Sequence, residues 1–320
     1  MNSYLVKRLL LCIPTLILVT MLVFVLMRLI PGDPAYLRLI GSDGDAEFTQ
    51  EQLDDLRAQL GTDKSLPEQY GRWMWGVVRF DFGLSMVYDT PISDDLKSRL
   101  PITLELTLIA LVLATVIAVP LGIASAIFQD SWADYLSRIV AIAGIAMPTF
   151  WTGILIIILL ILFFGWLPPL GYASLWDKPL LNLQQMVFPA IALGFYNMAL
   201  IARVMRSAML EVLREDYIRT ARSKGLSERV IIVRHALKNA SLPVLTISGW
   251  QVGRLVAGTV VIEKIFLVPG MGKLLIDSIF ARDFTMIQAI VLVVAVLVLL
   301  INLFVDLMYG WLDPRIRLEG

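Results

Sequence analysis

The chain has 320 residues, of which 58% are apolar, and its mean hydropathy is +0.76. This composition excludes an ordinary soluble domain and favours a protein of the lipid bilayer. The 27 basic residues balance the 27 acidic ones, so no global positive charge points to nucleic acid, and none is expected as a partner. The lone cysteine, Cys12, cannot form an internal disulfide, and the single histidine has no metal-ligand neighbours in the sequence.

Six segments are long and apolar enough to cross a membrane, which takes about 20 residues at a rise of ~1.5 Å per residue. They cover residues 9–30, 102–128, 139–164, 186–205, 242–266 and 285–309. The sequence therefore predicts an all-α, polytopic membrane protein with six transmembrane helices.

Lysine and arginine in the short loops predict the orientation, because they are enriched on the cytoplasmic side. With the N-terminus inside, the cytoplasmic loops hold Lys7, Arg8, Arg138, eight basic residues between Arg206 and Lys238, Arg315 and Arg317. The short outer loops hold only Lys178, Lys273 and Arg282. Both termini are therefore predicted to be cytoplasmic.

The segment between the first two spans, residues 31–100, is acidic and is predicted to lie outside the cell membrane. Thr49 and Gln52 fit a capping box at the start of a helix that Gly61 can close. Pro67 can open a second helix, whose aromatic residues are Tyr70, Trp73 and Trp75. Two interpretations remain open, an anchoring cap at the membrane surface and a docking surface for a substrate-delivery protein.

The fifth predicted span carries two unusual features. Small residues at four-residue intervals, Gly249, Gly253 and Ala257, lie on one helix face and predict close helix packing. A charge, Arg254, falls near the middle of the same span, where an unpaired cation in hydrocarbon is costly. Arg254 is expected either to face a translocation path or to pair with an acidic residue of a neighbouring chain.

Signatures of catalysis are missing from the sequence. It contains no G-x-x-x-x-G-K-[ST] phosphate loop, no G-x-S-x-G and no H-E-x-x-H, so no catalytic residue and no bound cofactor or metal is expected. Charged residues in the spans lie mostly near the span ends, which disfavours a secondary transporter with a deep proton relay. The chain is predicted to be a transport subunit that draws its energy from a partner.

The inner loop at residues 206–241 is far longer than a turn between two helices requires. A short helix is predicted from Asp216, with acidic residues at its start and basic residues at its end, as the helix dipole favours. Gly225 is expected to end this helix, and Ser227 to cap a second short helix. Two such helices would form a compact knob that enters a groove on a soluble partner. The alternative is a positively charged loop lying on anionic lipid.

Specific residues of this loop are assigned to the coupling of the membrane helices to that partner. They are Asp216, Tyr217, Arg219, Thr220, Ala221, Arg222, Lys224, Gly225 and Leu237.

These residues also carry a resemblance. Residues 216–226, followed by 234–240, resemble the glycine-centred coupling motif of dipeptide and oligopeptide permeases of ABC importers. Further stretches resemble the B-type permease subunit of that family, at residues 4–9, 31–34, 81–85, 261–266, 269–272 and 313–317. Arg219 and Thr220 replace the Glu-Ala of the broader ABC-importer motif, and His235 and Lys238 replace its Ile and Pro, which favours the peptide branch.

The resemblance implies a type I ABC-importer permease fold in the bacterial inner membrane. Its implied partners are membrane lipid, a homologous second permease, two ABC ATPase subunits that bind ATP and Mg, and an extracytoplasmic substrate-binding protein. Peptides are the implied cargo. Nickel, glutathione and oligosaccharide are the alternatives within the class, and an ATPase-independent secondary transporter is the alternative outside it.

The predicted organisation has four parts. Residues 1–30 are the cytoplasmic N-terminus and first span, 31–100 a periplasmic segment, 101–310 a core of five spans with the coupling loop 206–241, and 311–320 a cytoplasmic tail.

Overall fold

The computed structural model describes residues 2–29, 32–40 and 48–312. Within these residues the regular structure is helical, apart from one isolated bridge between Leu84 and Pro91. The helices are α1 (Asn2–Leu29), α2 (Pro34–Ile40), α3 (Gln50–Leu60), α4 (Leu66–Val78), α5 (Ile92–Ile127), α6 (Trp132–Ala146), α7 (Thr149–Phe164), α8 (Pro179–Val212), α9 (Asp216–Ser223), α10 (Glu228–Val230), a π-helix (Ile231–Ala236), α11 (Leu237–Ile265), α12 (Met271–Ala281) and α13 (Phe284–Leu312). Residues 313–320, with Arg315 and Arg317 of the predicted tail, lie outside the described residues, as does Pro31.

The described helices include five that are long and apolar enough to cross a membrane, and six spans result if the bent pair α6 and α7 counts as one. The prediction of an all-α polytopic membrane protein is therefore confirmed. Several helices extend beyond the predicted spans, most of all α8, which runs from Pro179 to Val212.

The third predicted span is not one continuous helix, so that prediction is wrong. α6 and α7 meet at a bend of 116° around Met147 and Pro148. The backbone of Met147 is extended (φ −85°, ψ 127°), because the residue before a proline is pushed out of the helical region. Hydropathy averaged over the whole span did not reveal the break, although Pro148 is a local signal of it.

By its internal contacts the chain divides into two units. The first comprises residues 1–102, 269–303 and 315–320, and the second comprises residues 103–268 and 304–314.

In the first unit, α4 lies along the second half of α1. The hydroxyl groups of Tyr70 and Thr20 are 2.8 Å apart, and the rings of Tyr70 and Trp73 pack against Phe24 at centroid distances of 5.4 and 5.9 Å. The capping box predicted at Thr49 is confirmed, and Gly61 ends α3 in the left-handed conformation with φ 68°. The contacts of Tyr70 and Trp73 hold one face of α4 against the apolar helix α1.

A second feature of the first unit is a loop fixed by Asp283. The carboxylate of Asp283, which is 1% exposed, accepts hydrogen bonds from the Ser85 hydroxyl and from the backbone N–H groups of Met86 and Met286. Nearby, Ile92 at the start of α5 is fully buried in an apolar cluster with residues of α12 and α13. The loop before α5 is therefore held to the α12–α13 corner by buried polar and apolar contacts.

In the second unit, α8 is the central helix. Three glycines allow neighbouring helices to approach closely. A Cβ atom on Gly194 would lie 2.8 Å from the carbonyl oxygen of Ala110, and one on Gly122 would lie 2.7 Å from that of Ala202. A Cβ atom on Gly144 would lie 2.6 Å from the Cβ atom of Ala199. These distances are shorter than van der Waals contact, so any larger residue would force the helices apart. Backbone contact at glycine therefore holds α5 and α6 tightly against α8.

Candidate functional site: the segment between α8 and α11

Residues 213–236, named here the coupling segment, connect α8 to α11 within the predicted loop 206–241, and their first helix is the amphipathic α9. Ile218 is fully buried and Ala221 is 7% exposed, and both belong to the apolar cluster that includes Met205, Met209 and Ile231. Polar residues occupy the remaining positions of α9 and are exposed. One face of α9 is thus fixed to the membrane domain and the other is free to contact a partner.

Gly225 forms the turn that follows α9. Its φ is +76°, in the left-handed region that glycine adopts without a steric penalty. The Gly225 N–H donates to the Arg222 carbonyl at 2.9 Å, and the Leu226 N–H donates to the Ala221 carbonyl at 3.3 Å. A Cβ atom at Gly225 would meet nothing within 4 Å. The need for glycine is therefore conformational and not a matter of space.

The helix after Gly225 differs from the prediction. Ser227 stands at the start of α10, but its side chain makes no capping hydrogen bond. α10 then passes through the π-helix into α11, so that residues Glu228–Ile265 form one helix of 38 residues. The prediction of two separate short helices is wrong for the second helix. The turn at Gly225 is instead joined without a break to a membrane-spanning helix.

Two side-chain pairs brace the turn. Arg222 Nε donates to Glu228 Oε1 at 2.7 Å across Gly225, and Asn239 Nδ2 donates to the Tyr217 hydroxyl at 2.7 Å. The hydrogen bond to the Glu228 carboxylate raises the pKa of the Arg222 guanidinium, so the cation of this pair is favoured further. Both pairs are exposed, so they orient the turn more than they stabilise it.

The free face of α9 carries hydrogen-bonding groups. Arg219 and Asp216 form an ion pair at 3.3 Å, with side-chain exposures of 74% and 94%. Thr220, Ser223 and Lys224 are exposed as well. The surface is mixed in charge, which suits a complementary protein surface better than a uniformly anionic lipid surface.

A buried ion pair supports the segment from inside. Arg206, near the end of α8, contacts Asp134 of α6 in a bidentate arrangement at 2.8 and 2.9 Å, and Ser125 of α5 donates to the same carboxylate at 2.6 Å. Asp134 is fully buried. The residues of this pair are 72 positions apart, so no local sequence pattern indicated it. The end of α8 that leads into α9 is therefore tied to α5 and α6.

The other predicted site residues lie on α11. Leu237 is half-buried at the start of α11. Arg254 is exposed, and its guanidinium lies 5.5 Å from the ring centroid of Tyr196 on α8. Of the small residues, Gly253 is buried, Gly249 half-buried and Ala257 exposed.

Sequence reasoning missed the two residues that fix the segment most firmly, Ile218 and Ile231, which are both fully buried. The spacing of Ile218 and Ala221 in an otherwise polar helix would have indicated this apolar face. Within the described residues, no group of three His, Cys, Asp or Glu side chains is arranged to hold a metal ion.

Comparison with known proteins places this geometry in context. Residues 118–318 match the family described as binding-protein-dependent transport system inner membrane component, and residues 1–107 match the N-terminal region of the corresponding membrane components. A peptide transport system permease protein of Brucella abortus is 40% identical over 319 residues, covering 100% of both chains. The glutathione transport system permease protein GsiC of Escherichia coli is 41% identical over 317 residues, covering 99% of both chains.

Proposed function

The chain belongs to the inner membrane components of binding-protein-dependent transport systems, and from this we propose that it forms half of a translocation pathway for peptides. It is a permease of the ABC-importer class and not an enzyme. Peptide is favoured as the cargo because a full-length relative is named as a peptide permease, while the relative named for glutathione, itself a small peptide, supports the same chemical class.

The observation that carries the mechanism is the continuity between α9, Gly225 and α11. The free face of α9 would bind a groove on an ABC ATPase, while its buried face moves with the cluster around Ile218. Because the helix after Gly225 continues to Ile265, displacement of α9 would be transmitted directly to a membrane-spanning helix. Closure of the ATPases on ATP and Mg would thus turn the cavity outward, and hydrolysis would turn it inward.

The complete transporter would contain a homologous second permease, two ATPases and an extracytoplasmic substrate-binding protein. The small residues Gly249, Gly253 and Ala257 would pack against a neighbouring helix, and Arg254 would face either the path or an acidic residue of the second permease. Both termini would be cytoplasmic, with residues 31–100 periplasmic, 101–310 forming the core and 311–320 the tail.

Site-directed crosslinking tests the coupling role. Single cysteines at Thr220 and Ser223, in a Cys12→Ala background, should crosslink to the ATPase with a yield that changes when ATP is added. Both positions are on the exposed face of α9. A cysteine at Ala221 is the matched control, because that side chain is 7% exposed and should give little product.

If the two exposed positions crosslink only to lipid, the coupling role is wrong and the segment lies on the membrane surface. Replacing Arg219 and Lys224 by glutamate separates the two interpretations further. Binding to anionic vesicles would fall in the lipid case, whereas attachment of the ATPase would fall in the coupling case.

A further inference from the structure

Arg254 lies on a face of α11 that the described part of the chain leaves uncovered. Trp250 is 76% exposed and Val261 is 44% exposed, and these residues stand four and seven positions from Arg254, on the same side of the helix. A cation at the middle of an apolar span is costly against lipid tails and occurs mainly where water or an anion is available. The exposed guanidinium of Arg254 therefore needs water or an anion beside it.

The guanidinium is oriented but not neutralised. It lies 5.5 Å from the ring centroid of Tyr196, within the range of a cation–π contact, which leaves its N–H donors available. Among the described side chains, Arg254 has no acidic partner and the Tyr196 hydroxyl has no hydrogen-bond partner. Two neighbouring donors without an acceptor match the chemistry of a carboxylate.

We infer that Arg254 and Tyr196 bind the free carboxylate of the peptide as it crosses the membrane. The inference rests on the proposed peptide cargo and assigns its recognition within the path. The planar guanidinium can bind both carboxylate oxygens at once, which gives geometric selectivity that a lysine lacks.

The test compares the uptake of a dipeptide with that of its C-terminal amide by the complete reconstituted transporter and its binding protein. The binding protein is unchanged between permease variants, so the ratio of the two uptake rates isolates the permease. Arg254→Gln should lower uptake of the free dipeptide by about tenfold or more, because at least one charge-assisted hydrogen bond is lost, and change uptake of the amide by less than about twofold. Tyr196→Phe should give a smaller loss of the same kind.

Arg203→Gln serves as the control, because Arg203 is also an exposed arginine, on α8. It should leave the ratio unchanged. An equal loss for both peptides in Arg254→Gln would overturn the inference. The inference would also be overturned if the second permease were lost from complexes of the Arg254→Gln variant but kept in complexes of Arg254→Lys. In that case the cation would pair with the second permease. If the wild-type transporter carried neither the dipeptide nor its amide, the proposed cargo would be wrong, and the inference would fall with it.

Discussion

At the residue scale, the turn of the coupling segment requires a left-handed backbone at Gly225. Replacing it by valine places a β-branched side chain at φ +76°, which should cost about 1 to 2 kcal/mol locally and tilt α9 against the following helix. We expect Gly225→Val to insert normally but to lose attachment of the ATPase, or to hydrolyse ATP without transporting peptide. Copurification and peptide-stimulated ATPase activity measure the two outcomes.

Gly171 provides the matched control for this variant. Its φ is also positive, at +90°, and a Cβ atom there would meet nothing within 4 Å, but it lies in the loop between α7 and α8. Gly171→Val should suffer similar backbone strain and keep coupling intact. Equal uncoupling in both variants would mean that strain alone, and not the position of Gly225, is responsible.

Asp134 is a second residue whose replacement has a specific predicted effect, in this case on stability. Its carboxylate is fully buried against Arg206, so Asp134→Ala leaves an uncompensated charge and should cost about 3 to 5 kcal/mol of stability. Thermal unfolding in detergent measures this loss.

Asp94→Ala is the control, because Asp94 and Lys97 are 4.0 Å apart and exposed, and a change in stability of about 0 to 1 kcal/mol is expected there. The double variant Asp134→Leu with Arg206→Met should be more stable than Asp134→Ala; a further loss would contradict the buried-pair explanation.

At the element scale, two tryptophans of α4 are expected to have different roles, one in packing and one in docking. Trp73 packs against Phe24, whereas Trp75 is 61% exposed with the Arg79 guanidinium 4.2 Å from its ring centroid. Trp75→Ala should weaken binding of the delivery protein by about tenfold or more, as loss of an aromatic anchor does, and leave stability unchanged. Binding of the delivery protein to the reconstituted transporter measures the affinity.

Trp73→Ala is the matched variant for the opposite role. It should lower the stability of the permease by about 2 kcal/mol through lost packing, with little effect on affinity once the protein is folded. If Trp75→Ala binds the delivery protein normally, α4 is an anchoring cap and not a docking surface.

Elements governed by local signals were predictable from the sequence. The capping box at Thr49, the glycine that ends α3 and the helix before Gly225 all follow from residues within one or two turns. The 116° break before α7 was concealed because hydropathy ignores backbone geometry. The π-helix at Ile231–Ala236 had no sequence signature that distinguishes it from an α-helix.

At the scale of the whole molecule, the class of protein was predictable and its long-range contacts were not. Apolar spans and charge bias act through composition, so a single sequence is enough to reveal them. The contacts of Asp134 with Arg206 and of Ser85 with Asp283 join residues 72 and 198 positions apart, and only the tertiary structure brings them together. The role of Arg254 is intermediate: its position in the span was evident, but its ring partner on α8 was not.

The predicted orientation can be tested on the intact chain. Cys12 is the only cysteine, so a Cys12→Ala background is free of thiols. A cysteine at Ser223 should react with a membrane-impermeant maleimide only in inside-out vesicles, and a cysteine at Ser65 only in right-side-out vesicles. The reverse pattern would place the coupling segment outside and eliminate contact with a cytoplasmic ATPase.

Pro243, inside α11, gives the long helix an uneven stiffness. A proline removes one backbone hydrogen bond, so bending should be easiest in the first turns of α11, around Pro243. The rest of α11 would then pivot as a rod on that region. Arg254 is 11 residues beyond Pro243, about 16 Å along the axis, so a bend of about 10° would shift it sideways by about 3 Å. That distance is close to the width of one water molecule, which is enough to open or close a narrow passage.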